Sequence, residues 1–173
     1  MKFKNKNIHN SSDKEIVRNV KMSWKGKESE ILDKIKQITG IDINADKIIC
    51  YVDNKTTNGY YSDRTITLGV RGGVTKDDTL MVISHELFHI YYWRKIRKMR
   101  LTKSRLGTES KEEWKLAEIA AFLLTNELSL KKYWPKAKVY LYPETKNIYK
   151  KVKTFWKKGN LEYFLINSYK KIK

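Results

Sequence analysis

The sequence predicts an α+β domain in which a small antiparallel sheet is covered by long helices. Three observations predict it. Strand-like patterning is confined to two short stretches, residues 47–52 and 64–70, each next to turn-forming residues. Apolar residues elsewhere recur at helical spacing behind capping residues. The longest helical stretch contains Ser84-His85-Glu86-Leu87-Phe88-His89, with two histidines four positions apart.

Each element follows from local signals. Residues 1–12 read as a basic disordered tail, and residues 13–173 as a single domain. Ser12-Asp13-Lys14-Glu15 fits a capping box that opens a helix running to about Trp24, where Lys25-Gly26-Lys27 breaks it. Ile31, Leu32, Ile35 and Ile38 share a helix face that Gly40 ends. Ile48-Ile49-Cys50-Tyr51-Val52 is a buried strand, Asp53 to Gly59 is turn-rich, and Arg64 to Val70 alternates as a second strand at the sheet edge. Thr75 caps the long helix, Asp77 and Asp78 suit its positive end, and it extends to about Lys98. A polar connection covers 101–109, and Ser110 with Glu113 opens a helix to about Leu130. Tyr133-Trp134-Pro135 ends it. Helices over roughly 144–157 and 160–171, separated by Lys158-Gly159, complete a C-terminal extension over 131–173.

Composition limits the function classes. A chain of 173 residues with 40% hydrophobic residues supports one real core. No apolar run approaches the ~20 residues that span a bilayer, and the N-terminal stretch has no apolar signal region, so the expected setting is the cytoplasm without membrane association. The single cysteine, Cys50, excludes an internal disulfide and a cysteine-based metal cage, and its apolar neighbours predict a buried, inert thiol. The net charge of +18 permits nucleic acid or an acidic partner. The basic residues are spread from end to end, however, as a general richness in lysine also produces.

The histidine motif carries specific chemistry. Helix positions i and i+4 lie on one face, so His85 and His89 can present two imidazoles to one ion. Zinc accepts them, requires a third protein ligand and keeps one position for water. Glu86, rotated by about 100° around the helix, faces that water as general base. The third ligand must come from elsewhere, because the remaining histidine, His9, lies in the tail. Glu109, Glu112, Glu113 and Glu127 are candidates, the first three around a helix start where acidic residues suit the dipole. Glu118 is the leading candidate. It interrupts the apolar run from Leu116 to Leu124, where a carboxylate is costly without a compensating charge. Ala117, Ala120 and Ala121 let its helix approach the motif helix.

His85-Glu86-Leu87-Phe88-His89, followed 29 residues later by Glu118-x-x-Ala121 with Leu124, Thr125 and Leu128 behind, resembles the ImmA/IrrE-like metallopeptidases. Tyr60-Tyr61 and Ile66-Thr67-Leu68 resemble the strand that leads into that family's active helix, so the resemblance covers about 47–130, the expected catalytic core. Leu124-Thr125 and Ser129 depart from the family pattern, and Lys131 stands where a proline is frequent. The resemblance implies a zincin-like domain and a Zn2+ cofactor held by His85, His89 and Glu118, with Glu86 catalytic. It also implies a protein or peptide substrate, repressor-type regulators of mobile elements among them. Thermolysin-like enzymes carry an aspartate where Phe122 stands. SprT-like proteases and metzincins require a later histidine, and none follows His89. The competing class is a non-catalytic zincin-fold binding or regulatory protein, with nucleic acid as one partner.

Two further features have bland and functional readings. Arg94, Lys95, Arg97, Lys98 and Arg100 crowd the end of the motif helix, as a solvated face or as a basic patch by the cleft. Ile148, Val152, Phe155 and Trp156 recur as a packing face, although aromatics among lysines also suit nucleic acid. Tyr60 and Tyr61 are candidates to stabilise an oxyanion, and strand 64–70 to pair with an extended substrate.

Overall fold

The computed structural model describes residues 1–42, 47–104, 108–157 and 159–172. The chain begins with β1 (Lys2–Lys6), where the sequence suggested a disordered tail. Lys2 donates its backbone N–H to Ile48 O at 3.0 Å, and Phe3 packs on the core. The strand is held by backbone pairing, and four of its five residues are exposed. It therefore lacks the apolar alternation by which strands are recognised.

Two helices follow. α1 (Ser11–Lys25) is capped by Asn10, whose side chain accepts from Asp13 N, and buries Val17, Val20 and Trp24. α2 (Glu28–Thr39) ends at Gly40, whose φ of 64° is the left-handed conformation that glycine adopts without a steric penalty. β2 (Ile49–Asp53), β3 (Gly59–Tyr61) and β4 (Thr65–Gly69) then complete a four-stranded sheet of order β1-β2-β4-β3.

The sheet is mixed, not antiparallel. β1 runs parallel to β2 and β2 parallel to β4; the β3–β4 hairpin alone is antiparallel. The parallel pairs arise because α1 and α2 form a crossover between β1 and β2, and the chain passes through β3 before returning as β4. β4 is consequently interior, and the edge beside the helices belongs to β3.

α3 (Lys76–Lys98) is the central element. Thr75 caps it, accepting from Asp78 N at 3.1 Å. From Glu86 to Trp93 every residue is buried, because the sheet, α1, α2 and α4 pack around this helix. α4 (Lys111–Thr125) opens with the expected capping box of Ser110 and Glu113. It stops short of Leu130: Thr125 and Asn126 turn their side chains back onto the Ala121 and Phe122 carbonyls, and a separate short helix, α5 (Leu128–Lys131), follows. The C-terminal region is α6 (Lys146–Val152), flanked by 3-10 turns at Pro143–Thr145 and Lys153–Phe155, and then α7 (Leu161–Ile172). Of the expected polar connection, 105–107 lie outside the described residues, as do Lys158 and Lys173.

Trp156 closes the C-terminal region onto the core. Its ring meets Phe88 and Phe164 edge-on and its Nε1 donates to Glu127 Oε2 at 2.8 Å. Cys50 is fully buried, and burial pushes its thiol far up. No helix among the described residues is long and apolar enough to cross a membrane.

Candidate metal centre

Three side chains from two helices converge. His85 Nε2 and His89 Nε2 stand 3.1 Å apart on one face of α3, with their rings at 79° to each other. α4 brings Glu118 against both: Oε2 is 3.5 Å from His85 Nε2, and Oε1 is 3.5 Å from His89 Nε2. The approach of the helices depends on Ala117, Ala120 and Ala121, which are wholly buried. One ligand atom from each of the three residues lies within 4.8 Å of the others.

These residues fit a zinc ion. Donors about 2.0–2.1 Å from a tetrahedral zinc are separated from one another by about 3.3–3.5 Å, close to the separations here. A carboxylate facing two imidazoles at 3.5 Å makes only long hydrogen bonds to them, yet Glu118 is 93% shielded from solvent. A buried, underbonded carboxylate is costly, and a cation between the three groups removes the cost. The donor set, two nitrogens and one oxygen, is that of zinc sites with an open position.

Electrostatics bind the cluster together. Burial alone raises the Glu118 carboxyl, but hydrogen bonding and charge from His85 and His89 hold it at about 2. Burial works to lower His85; the bond to Glu118 and the charges of Glu86 and Glu118 outweigh it and raise its pKa. Burial pushes Glu86 above the usual carboxylate range, against the pull of His89 and His85 and with the repulsion of Glu118. Glu86 is outside the three-ligand cluster, as its rotation around α3 requires.

The surroundings fix these groups in place. Tyr61 on β3 lies flat against His89, with ring centroids 4.3 Å apart and planes 10° from parallel. Its hydroxyl accepts from Trp93 Nε1 at 3.0 Å, one turn further along α3. Gly59, at the start of β3, lies against the Glu86 carboxylate. A Cβ there would run into Glu86 Oε1 and stand 2.8 Å from Val82 Cγ1. Beside His85 and Glu86 opens a cleft of about 330 Å³, walled by Thr57 to Gly59, Met81, Val82 and residues 138–143.

The remaining sequence candidates lie elsewhere. Glu113 accepts from Thr102, Ser104 and the Ser110 backbone, so it is spent on the start of α4. Glu127 is engaged by Trp156. Glu112 is exposed, and Glu109 is not in the cluster. His9 sits ahead of α1, where its backbone N–H donates to Asp13. The basic crowd on α3 is partly structural: Lys95 is buried and pairs with Glu162 at 2.7 Å, and Arg97 and Arg94 reach Asp63. Sequence patterns single out neither Gly59 nor the 138–143 wall. A glycine between turn and strand looks like any turn residue, and the wall lies far along the chain from the motif.

No protein-family model, no curated protein and no solved structure matches the chain. The chemistry of the site rests on its own residues.

Proposed function

We propose that this protein is a zinc-dependent metallopeptidase of the gluzincin type, a zincin-like hydrolase resembling the ImmA/IrrE group. The observation that carries the proposal is the convergence of His85, His89 and Glu118, with the Glu86 carboxylate next to them at the mouth of an open cleft. His85, His89 and Glu118 would hold the ion. Zinc, when bound, supplies Lewis acidity toward a carbonyl and lowers the pKa of water to near neutrality.

Glu86 performs the proton work. It takes a proton from the attacking water as the water oxygen adds to the scissile carbonyl carbon. It then delivers that proton to the amide nitrogen as the C–N bond breaks. Burial suits it to the task, because a carboxyl raised above its usual range is a better base. A purely structural zinc site has no use for a buried carboxylate in this position, which favours an enzyme over a non-catalytic binding module.

The cleft supports a protein or peptide substrate. β3 is the sheet edge beside it, so an extended chain can lie along Gly59 to Tyr61 and pair with backbone groups there. Repressor-type regulators are one substrate class, and the setting proposed is the cytoplasm. The charge of +18 favours acidic substrates or proteins bound to nucleic acid.

Glu86→Gln tests the assignment. The variant should keep about one zinc per chain and lose hydrolysis of labelled casein by at least about a hundredfold. Loss of zinc to the same degree as in His85→Ala would make Glu86 a ligand and overturn the assigned roles.

A further inference from the structure

Peptide hydrolysis needs a donor for the oxygen that gains negative charge as water adds to the carbonyl. The two tyrosines nearest the site in sequence do not supply it. Tyr61 is packed flat on His89 with its hydroxyl held by Trp93. Tyr60 is 54% exposed on the opposite side of the strand and is absent from the cleft lining.

Tyr142 is placed differently. It lines the cleft together with His85, Glu86 and Gly59. Its ring rests on Trp114, with centroids 5.8 Å apart. Trp114 and Glu118 are four residues apart on α4, so the helix face that offers the carboxylate also carries the platform for this tyrosine. The backbone beneath it is fixed, because the Tyr142 carbonyl accepts from both Thr145 N at 2.9 Å and Thr145 Oγ1 at 2.6 Å. Half of the residue remains exposed.

We propose that Tyr142 is a catalytic residue whose hydroxyl donates a hydrogen bond to the scissile carbonyl oxygen as that oxygen becomes tetrahedral. The tyrosine keeps its proton throughout; the proton traffic belongs to Glu86. Burial and the nearby Glu118 and Glu86 charges raise its pKa, which favours the protonated, donating hydroxyl. The inference rests on the peptidase proposal.

Tyr142→Phe tests it, since the variant keeps the ring on Trp114 and removes one oxygen. Zinc content should be unchanged, kcat on labelled casein should fall about 10²–10³-fold, and KM should change by less than about threefold. A phosphinic pseudopeptide, whose tetrahedral anion mimics the charged carbonyl, gives a readout without turnover. Calorimetry on the zinc-loaded protein should show it binding at least about tenfold more weakly to Tyr142→Phe, while Tyr163→Phe on α7, outside the cleft lining, matches wild type. Wild-type kcat and wild-type phosphinic affinity in Tyr142→Phe would overturn the proposal while leaving the peptidase standing. A wild-type protein that cleaves nothing, yet binds the pseudopeptide through Tyr142, would overturn the peptidase and retain Tyr142 as the anion donor.

Discussion

Gly59→Ala is a small perturbation aimed at the general base from outside its own helix. Gly59 has a backbone conformation open to alanine, so strain is not the cost. The cost is space: the new methyl would stand 2.8 Å from Val82 Cγ1 and 2.9 Å from Glu86 Cδ, and closer still to Glu86 Oε1. Ordinary contact begins at about 3.4 Å, so the carboxylate or β3 must move by about 0.5–1 Å. Overpacking of this size costs about 1–3 kcal/mol, offset by about 0.4–1 kcal/mol from the less flexible unfolded chain. The net loss of stability should lie between about 0 and 2.6 kcal/mol. Catalysis should suffer more, because displacing a reacting group by about 1 Å can cost about a hundredfold. Urea denaturation, zinc content and kcat measured together separate the effects. A stability loss within that range, zinc near wild type and kcat down ten- to a hundredfold is the expected result, as an order of magnitude. Full activity in a folded Gly59→Ala protein would show that the Glu86 position does not govern the rate.

Glu118→Ala should abolish stoichiometric zinc binding, read by elemental analysis, and Glu118→Asp should fail nearly as badly because the shorter arm cannot cross the gap between α4 and α3. Glu109→Ala and Glu112→Ala should retain zinc, and Glu113→Ala should retain it while losing about 0.5–2 kcal/mol of stability with its capping box. Zinc affinity should fall on acidification from above pH 6.5, since the His85 pKa is raised above that value and zinc takes the neutral imidazole; zinc titrations across pH check the direction. In the metal-free protein the charged His85–Glu118 pair should stabilise the fold most between about pH 4.5 and 6.5. Its contribution is lost below that window as Glu118 protonates toward about 2 and above it as His85 deprotonates, so thermal melts should rise and fall in that order.

The helices were legible because their caps are local. Thr75 with Asp78, Ser110 with Glu113, and Gly40 act within a few residues, so α3, α4 and the end of α2 can be placed without knowing the fold. Glu118 stands out for a similar reason, as a charge inside an apolar run at a position that alanines let approach α3. The sheet was less legible because strand order is a long-range property. Lys2 to Lys6 offers no alternation, and its partner Ile49 to Asp53 lies more than forty residues away. Gly59 and Tyr142 gain their meaning from what folding sets beside them, the Glu86 carboxylate and the cleft, and no spacing rule connects them to the histidines.

X-ray absorption at the zinc edge on the reconstituted protein reads the ligands of the proposed His85, His89 and Glu118 centre. The expected result is about one zinc per chain with two imidazole nitrogens and oxygen donors at about 2.0–2.2 Å, and a spectrum that Glu86→Gln leaves unchanged in its imidazole shell. A sulfur scatterer from Cys50, a shell without imidazole, or a protein that takes up no stoichiometric zinc would contradict it.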